Sequence, residues 1–179
     1  MDGSTSFLPQ LGLMQPARWV TSKELHLFLF MVNETVPVCD IHYSSAIHSN
    51  RVMDVTNWHG LYLLEDMLSK GLQPSVVTFA NVAGAHRQAL LDELEGILSS
   101  MADNGVIPNK VFIETFLGAL FPARLTAAWT VDDVRIRLKG TSRHRLRVAK
   151  SVLKDAESRG VRLAQLSSLT EQYLQQLNI

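Results

Sequence analysis

The sequence predicts an all-α protein of stacked helix-turn-helix repeats, and three observations predict it. The segment Gly71-Leu-Gln-Pro-Ser-Val-Val-Thr-Phe79 returns, altered, as Gly105-Val-Ile-Pro-Asn-Lys-Val-Phe-Ile113. Each copy follows an apolar helical run that ends in methionine, Met67 and Met101, and the matched residues lie 34 positions apart. A fixed period of this size marks helical hairpins that cannot bury their apolar faces alone and therefore stack. The chain is also 46% hydrophobic and 19% charged, which is globular composition. Its one cysteine, Cys39, excludes an intrachain disulfide and favours a reducing compartment.

The elements follow in order. Residues 1–18 hold Pro9, Pro16 and scattered Gly and Ser, and read as an irregular arm. Ser22 is placed as an N-cap, with Leu25, Phe28, Leu29 and Val32 on one stripe of the helix that follows. A unit opening near Asp40 is expected to turn Ile41, Tyr43, Ala46 and Ile47 inward. The polar stretch 49–57 interrupts it, and Trp58 begins a partner helix carrying Leu61, Leu63, Leu64 and Met67. Gly71 suits a left-handed C-terminal cap, and Pro74 blocks continuation.

The next unit repeats this plan. Phe79, Val82 and Ala83 line its first helix after Ser75 and Thr78, and Leu90, Leu91, Leu94, Ile97, Leu98 and Met101 form a stripe on its second. A third unit starts with Val111, Ile113, Phe116, Leu117 and Leu120, and Pro122 then stops it. Its closing phrase around Gly160 comes 55 residues after Gly105, which is one repeat plus 21 residues. The repeat region therefore spans 19–121, an insertion occupies 122–140, and basic helices fill 141–179. Within the insertion, Val134 to Lys139 alternates like a strand, while Thr130-Val-Asp-Asp133 reads as a capped helix start. The helix is preferred, because an isolated strand leaves its backbone groups unpaired. Ser142 is expected to cap a helix through Ser158 with Leu146, Ala149, Leu153 and Ala156 on one side. A last helix from about Arg162 carries Leu163, Leu166, Leu169, Tyr173, Leu174 and Leu177.

The stretch Met67-Leu-Ser-Lys-Gly-Leu-Gln-Pro-Ser-Val-Val-Thr-Phe79 resembles the junction of pentatricopeptide repeats, which close with Met, three residues, Gly, two residues and Pro before opening with Val-Val-Thr-Tyr. The resemblance covers residues 38–121 and extends loosely to 141–179. It implies an α-solenoid, a right-handed superhelix that binds single-stranded RNA along its groove in a mitochondrion or plastid. The cytosol is the alternative, since Met1 to Phe7 show neither a signal core nor the arginines of a transit peptide. In that family, paired residues select the base. They match Ser44 with Ser75 and Ala80 with Asn109 here, and Glu114 opens the next pair. Ala80 carries no hydrogen-bonding group, so these pairs do not predict strong sequence specificity.

The net charge of zero is a cancellation. Residues 1–121 carry 6 of the 17 Lys and Arg and 12 of the 17 Asp and Glu, and residues 122–179 carry the rest. Arg135, Arg137, Lys139, Arg143, Arg145 and Arg147 fall in a stretch from 134 to 154 without one acid. Such a run is the composition of a phosphate-binding patch, and Trp129 beside it is a candidate for stacking on a base. Phe79 and Phe116 sit on apolar stripes and read as core. Cys39, His42, His48, His59 and His86 lack the paired spacing of a metal site, so no metal ligand is assigned. No nucleophile elbow, Walker loop or dinucleotide fingerprint is present. Asp92, Glu93 and Glu95 read as a solvated helix face. The protein is expected to be noncatalytic and without a cofactor. Single-stranded RNA is the leading partner, and a protein partner in a larger assembly is the alternative. No apolar run is long enough to insert in a membrane.

Overall fold

The computed structural model describes residues 27, 28, 30–32, 34, 37–53, 58–86, 90–121 and 130–177. The expected arm at 1–18, the Ser22 cap, Pro122 and Trp129 lie outside them. Among the described residues every regular element is helical. After a helical stretch including residues 27, 28 and 30–32, the order is α1 Asp40–Met53, α2 Trp58–Ser69, α3 Val76–Ala85, α4 Leu91–Asp103, α5 Lys110–Leu120, α6 Val131–Arg137, α7 Arg143–Ser158 and α8 Gln165–Gln176.

Packing follows the expected hairpins. Helix α1 pairs with α2 and α3 with α4, while α3 makes its most extensive contacts with α1 on one side and α5 on the other. Helix α7 packs on α5 and α8, and the short α6 packs on α8. The core is continuous along this row. Tyr43, Ala46 and Ile47 meet Met67, Phe79, Val82 and Ala83, and the core runs on through Leu94, Ile97, Phe112 and Phe116 to Ala149, Leu153 and Leu174. The rings of Phe112 and Phe116 stack at 5.6 Å.

The turns explain why the hairpins close. Gly71, Gly105 and Gly160 have φ of +71°, +66° and +67°, the left-handed region where a Cβ is costly. Leu72 N donates to Met67 O, Val106 N to Met101 O, and Val161 N to Ala156 O, at 3.2, 3.0 and 3.0 Å. The same six-residue backbone loop therefore closes α2, α4 and α7. At the helix starts, Ser75 and Thr78 form a capping box, as do Thr130 and Asp133, and Ser142 accepts from Arg145 N. Residues 131–137, within the stretch expected to be an insertion, are therefore helix rather than strand.

Five expected details differ. Ile41, Leu90 and Val111 are 68%, 71% and 59% exposed rather than buried. Ile41 lies opposite the Tyr43, Ala46 and Ile47 face at 100° per residue. Leu90 is the extended N-cap of α4. Val111 yields its place to Phe112, which is fully buried. The fourth difference is at the C-terminus, where α8 starts at Gln165 rather than near Arg162. Its Ser167 and Thr170 are buried while Leu166 and Leu169 are only half-buried. Helix α1 also runs on to Met53, into the polar stretch that was expected to break it.

Polar groups tie the first hairpin. The Tyr43 hydroxyl donates to Asp66 Oδ2, and Lys70 Nζ reaches both Tyr43 Oη at 2.7 Å and Asp66 at 2.8 Å. Burial, then the bond to Asp66 and its charge, push the Tyr43 phenol far above its ordinary range.

His86, at the end of α3, is fully buried. Its Nδ1–H donates to Val82 O at 2.7 Å, and its Nε2 has no partner among the described residues. Burial holds its pKa below the ordinary 6.5, against the Val82 carbonyl and the charge of Glu93 on α4, which pull it up. The unfolded chain therefore binds a proton that the folded chain resists. Stability is full above about pH 6.5 and falls as the pH drops below it. Urea melts from pH 7.5 to 5 should show this decline, and His86→Leu should flatten it. An unchanged slope in that variant would overturn the assignment.

Candidate nucleic-acid interface

Helix α7 presents the main cationic surface. Its inner side is fixed by Leu146, Ala149, Leu153 and Ala156, which are buried against α5 and α8. The helical period then puts Arg143, Arg147 and Lys154 on the opposite side, within about 40° of arc and along about 16 Å of axis. All three are exposed, and among the described residues none has an ion-pair partner. Neighbouring acids are occupied. Asp155 pairs with Arg159 at 2.8 Å and Asp132 with Arg135 at 3.0 Å. Asp133 caps Thr130 N. Glu171 on α8 is pushed above the usual carboxylate range by burial, then by the charge of Glu157 and a hydrogen bond to it.

The six basic residues expected to hold phosphate divide accordingly. Arg143 and Arg147 lie on the exposed stripe, and Lys139 is exposed just before it. Arg145 turns inward, and its Nη1 donates to Leu120 O at 2.9 Å, satisfying a carbonyl at the end of α5. Arg135 is held by Asp132 and reaches Gln176 Oε1 at 3.5 Å. Arg137 is half-buried and partnered. The sequence reading omitted Lys154, whose signal was its position seven residues after Arg147. Lys150, between them, donates to Leu177 O at 3.0 Å beyond the end of α8.

The five positions matched to base selection sit along the α1, α3 and α5 starts with structural partners. Ser44 Oγ meets Thr78 Oγ1 at 2.8 Å across α1 and α3. Ser75 caps α3, and Asn109 caps α5 by accepting from Phe112 N at 2.9 Å. Ala80 is buried in the core. Glu114 Oε1 accepts from Ala164 N at 3.1 Å and lies 3.9 Å from Lys110 Nζ. Ala164 has no side-chain cap of its own, so this carboxylate serves the N-terminus of α8 from 50 residues away. Glu114→Ala should lower the unfolding free energy by about 1–2 kcal/mol, and Glu114→Gln should recover part of it. Equal stability of the three proteins in urea would refute that role.

A repeated feature was missed in the sequence. Ile41, Val77 and Val111 occupy the first turns of α1, α3 and α5, at intervals of 36 and 34 residues, and each is more than half exposed. Asn81 lies among these helices, donating to Ser44 O at 3.4 Å and meeting His48 Nδ1 at 3.3 Å through Oδ1. Cys39 and His42 form a local pair, with the Cys39 N–H donating to His42 Nδ1 at 3.1 Å and Sγ at 3.3 Å from the same atom. Among the described residues no three metal-ligating side chains converge. Nor is any helix among them long and apolar enough to cross a membrane.

Neither the protein-family models nor the curated proteins searched contain a match to this chain.

Proposed function

We propose that this is a noncatalytic RNA-binding protein of pentatricopeptide-repeat type, in which α1 to α5, α7 and α8 form a short right-handed α-solenoid. The observation that carries the reading is the row of exposed cations Arg143, Arg147 and Lys154 on α7, which have no ion-pair partner among the described residues. Cations at helical spacing and free of ion pairs give up mainly bound counterions when they meet phosphate. The resemblance of the Met67–Phe79 junction supports RNA as the polyanion and a mitochondrion or plastid as its setting, in RNA processing, stability, translation or ribonucleoprotein assembly. Base selection by Ser44, Ser75, Ala80, Asn109 and Glu114 is not part of the proposal, because capping, interhelix bonds and burial account for them. The test is single-stranded RNA binding as a function of salt. Affinity should fall steeply between low and moderate salt, and no binding at low salt would refute the reading.

The row of Ile41, Val77 and Val111 favours a second reading, a scaffold that packs against a protein partner in a larger assembly. Exposed apolar residues repeated on successive helices form a surface that a partner helix can cover. The same titration separates the two, since a scaffold has no need to bind RNA at low salt.

A further inference from the structure

A groove of about 320 Å³ lies between α4 and α7, lined by Glu95, Leu98, His144, Arg147, Val148, Ser151 and Val152. Its floor is apolar. Val148 is 8% exposed, and Leu98 and Val152 are half-buried against the core. Its rim is polar and of mixed character. At one edge His144 Nε2 and Glu95 Oε1 lie 3.1 Å apart, bridging α7 and α4. At another stands Arg147, exposed and without an ion-pair partner among the described residues, with Arg143 one helical turn away. The Ser151 hydroxyl stands exposed in the groove, one turn after Arg147.

We propose that this groove receives a single nucleobase of the RNA while Arg147 and Arg143 hold the adjoining phosphates. The inference rests on the RNA-binding reading and adds the ligand unit and its place. Each part of a nucleotide meets a matching group. A base has two apolar faces, and the methyl groups of Leu98, Val148 and Val152 offer a dry surface to one of them. Its edge carries donors and acceptors, and Ser151 supplies both while the Glu95 carboxylate accepts. The anionic charge falls on the side where the cations are. A volume near the lower end of the range for small-ligand sites fits one base rather than a run of them. Charge complementarity also selects the occupant. A neutral apolar helix would leave Arg147 and Arg143 unmatched, and a bare polyanion would leave the apolar floor uncovered.

The experiment compares an oligoadenylate RNA with an abasic oligonucleotide of equal length, on the full chain and on Ser151→Leu. Ser151 is exposed, so leucine fills the groove without entering the core, and Ser158→Leu on the same helix side serves as the control. The protein should bind the RNA about tenfold tighter than the abasic strand, with equal salt slopes for the two. Ser151→Leu should bring the RNA down to the abasic level, and Ser158→Leu should leave the difference intact. Equal affinity for the two strands would overturn the base site while leaving the phosphate contacts standing. So would a base preference that survives in Ser151→Leu. No binding of either strand at low salt would overturn the RNA reading and the base site together. Displacement of the RNA by an acidic amphipathic peptide, with no effect of adenosine monophosphate, would assign the groove to a protein instead.

Discussion

Replacing Phe79 by alanine is expected to lower the unfolding free energy by about 3–5 kcal/mol. The ring is fully buried on α3, the helix that packs against α1, α2, α4 and α5 alike. Each of those helices presents its apolar side to α3, so a void there has no loose neighbour to fill it. Against a total stability of about 5–15 kcal/mol, that loss removes about a fifth of the margin or more. The melting midpoint should drop by about 10 °C for a chain of this size. Phe79→Leu, which keeps most of the volume, should lose far less. Urea denaturation checks this. A Phe79→Ala midpoint within experimental error of the parent would mean that α3 is not the centre of the stack.

The second large effect concerns Arg143 and Arg147. With Lys154 they provide three phosphate contacts, for which the logarithm of affinity should fall with the logarithm of salt at a slope of about −2. Affinity for single-stranded RNA then drops about twentyfold between 50 and 200 mM salt. Converting both arginines to alanine should leave a slope of about −0.7, the share of one remaining contact. Arg145→Ala makes an informative comparison. Its guanidinium is committed to Leu120 O, so the change should lower stability and leave the slope alone. If Arg145→Ala flattened the slope as much as the double variant, the phosphate surface would not be the exposed side of α7. Fluorescence anisotropy across a salt series reads all three outcomes.

Much of the fold was legible because its signals are local. Gly71, Gly105 and Gly160 mark turns that only a positive φ can make, and Ser75, Thr130 and Ser142 announce helix starts from neighbours three residues away. The helix at Thr130 was recoverable against a strand-like alternation because its capping box is complete within four residues. Facing was harder to read in the first turns. Ile41 and Val111 share the composition of the core but lie outside it, since a shift of one residue turns a side chain by 100°. Polar residues also reach the interior where a hydrogen bond satisfies them. Thr170 is buried with its hydroxyl on Leu166 O at 2.8 Å, and hydropathy alone cannot rank it above Leu169.

The candidate site was legible as a charge run but not as a surface. Six cations were visible between residues 135 and 147. Their division required partners that lie far away in sequence, such as Leu120 for Arg145. Glu114 shows the same limit, because its partner Ala164 is brought to it by α7, which packs on both α5 and α8. The groove between α4 and α7 joins residues about 50 positions apart and has no counterpart in the linear pattern.

The three glycine turns have a consequence for how such a chain can change over generations. Their joints are made of main-chain atoms: a carbonyl at Met67, Met101 or Ala156, and an amide five residues on. A joint of this kind is indifferent to most side chains around it and asks only for one residue at ease with a left-handed backbone. Lineages can therefore rewrite the outward surface while the hinges stay the same. Ancestry in a protein like this is better sought in the spacing of its glycines than in letter-by-letter likeness.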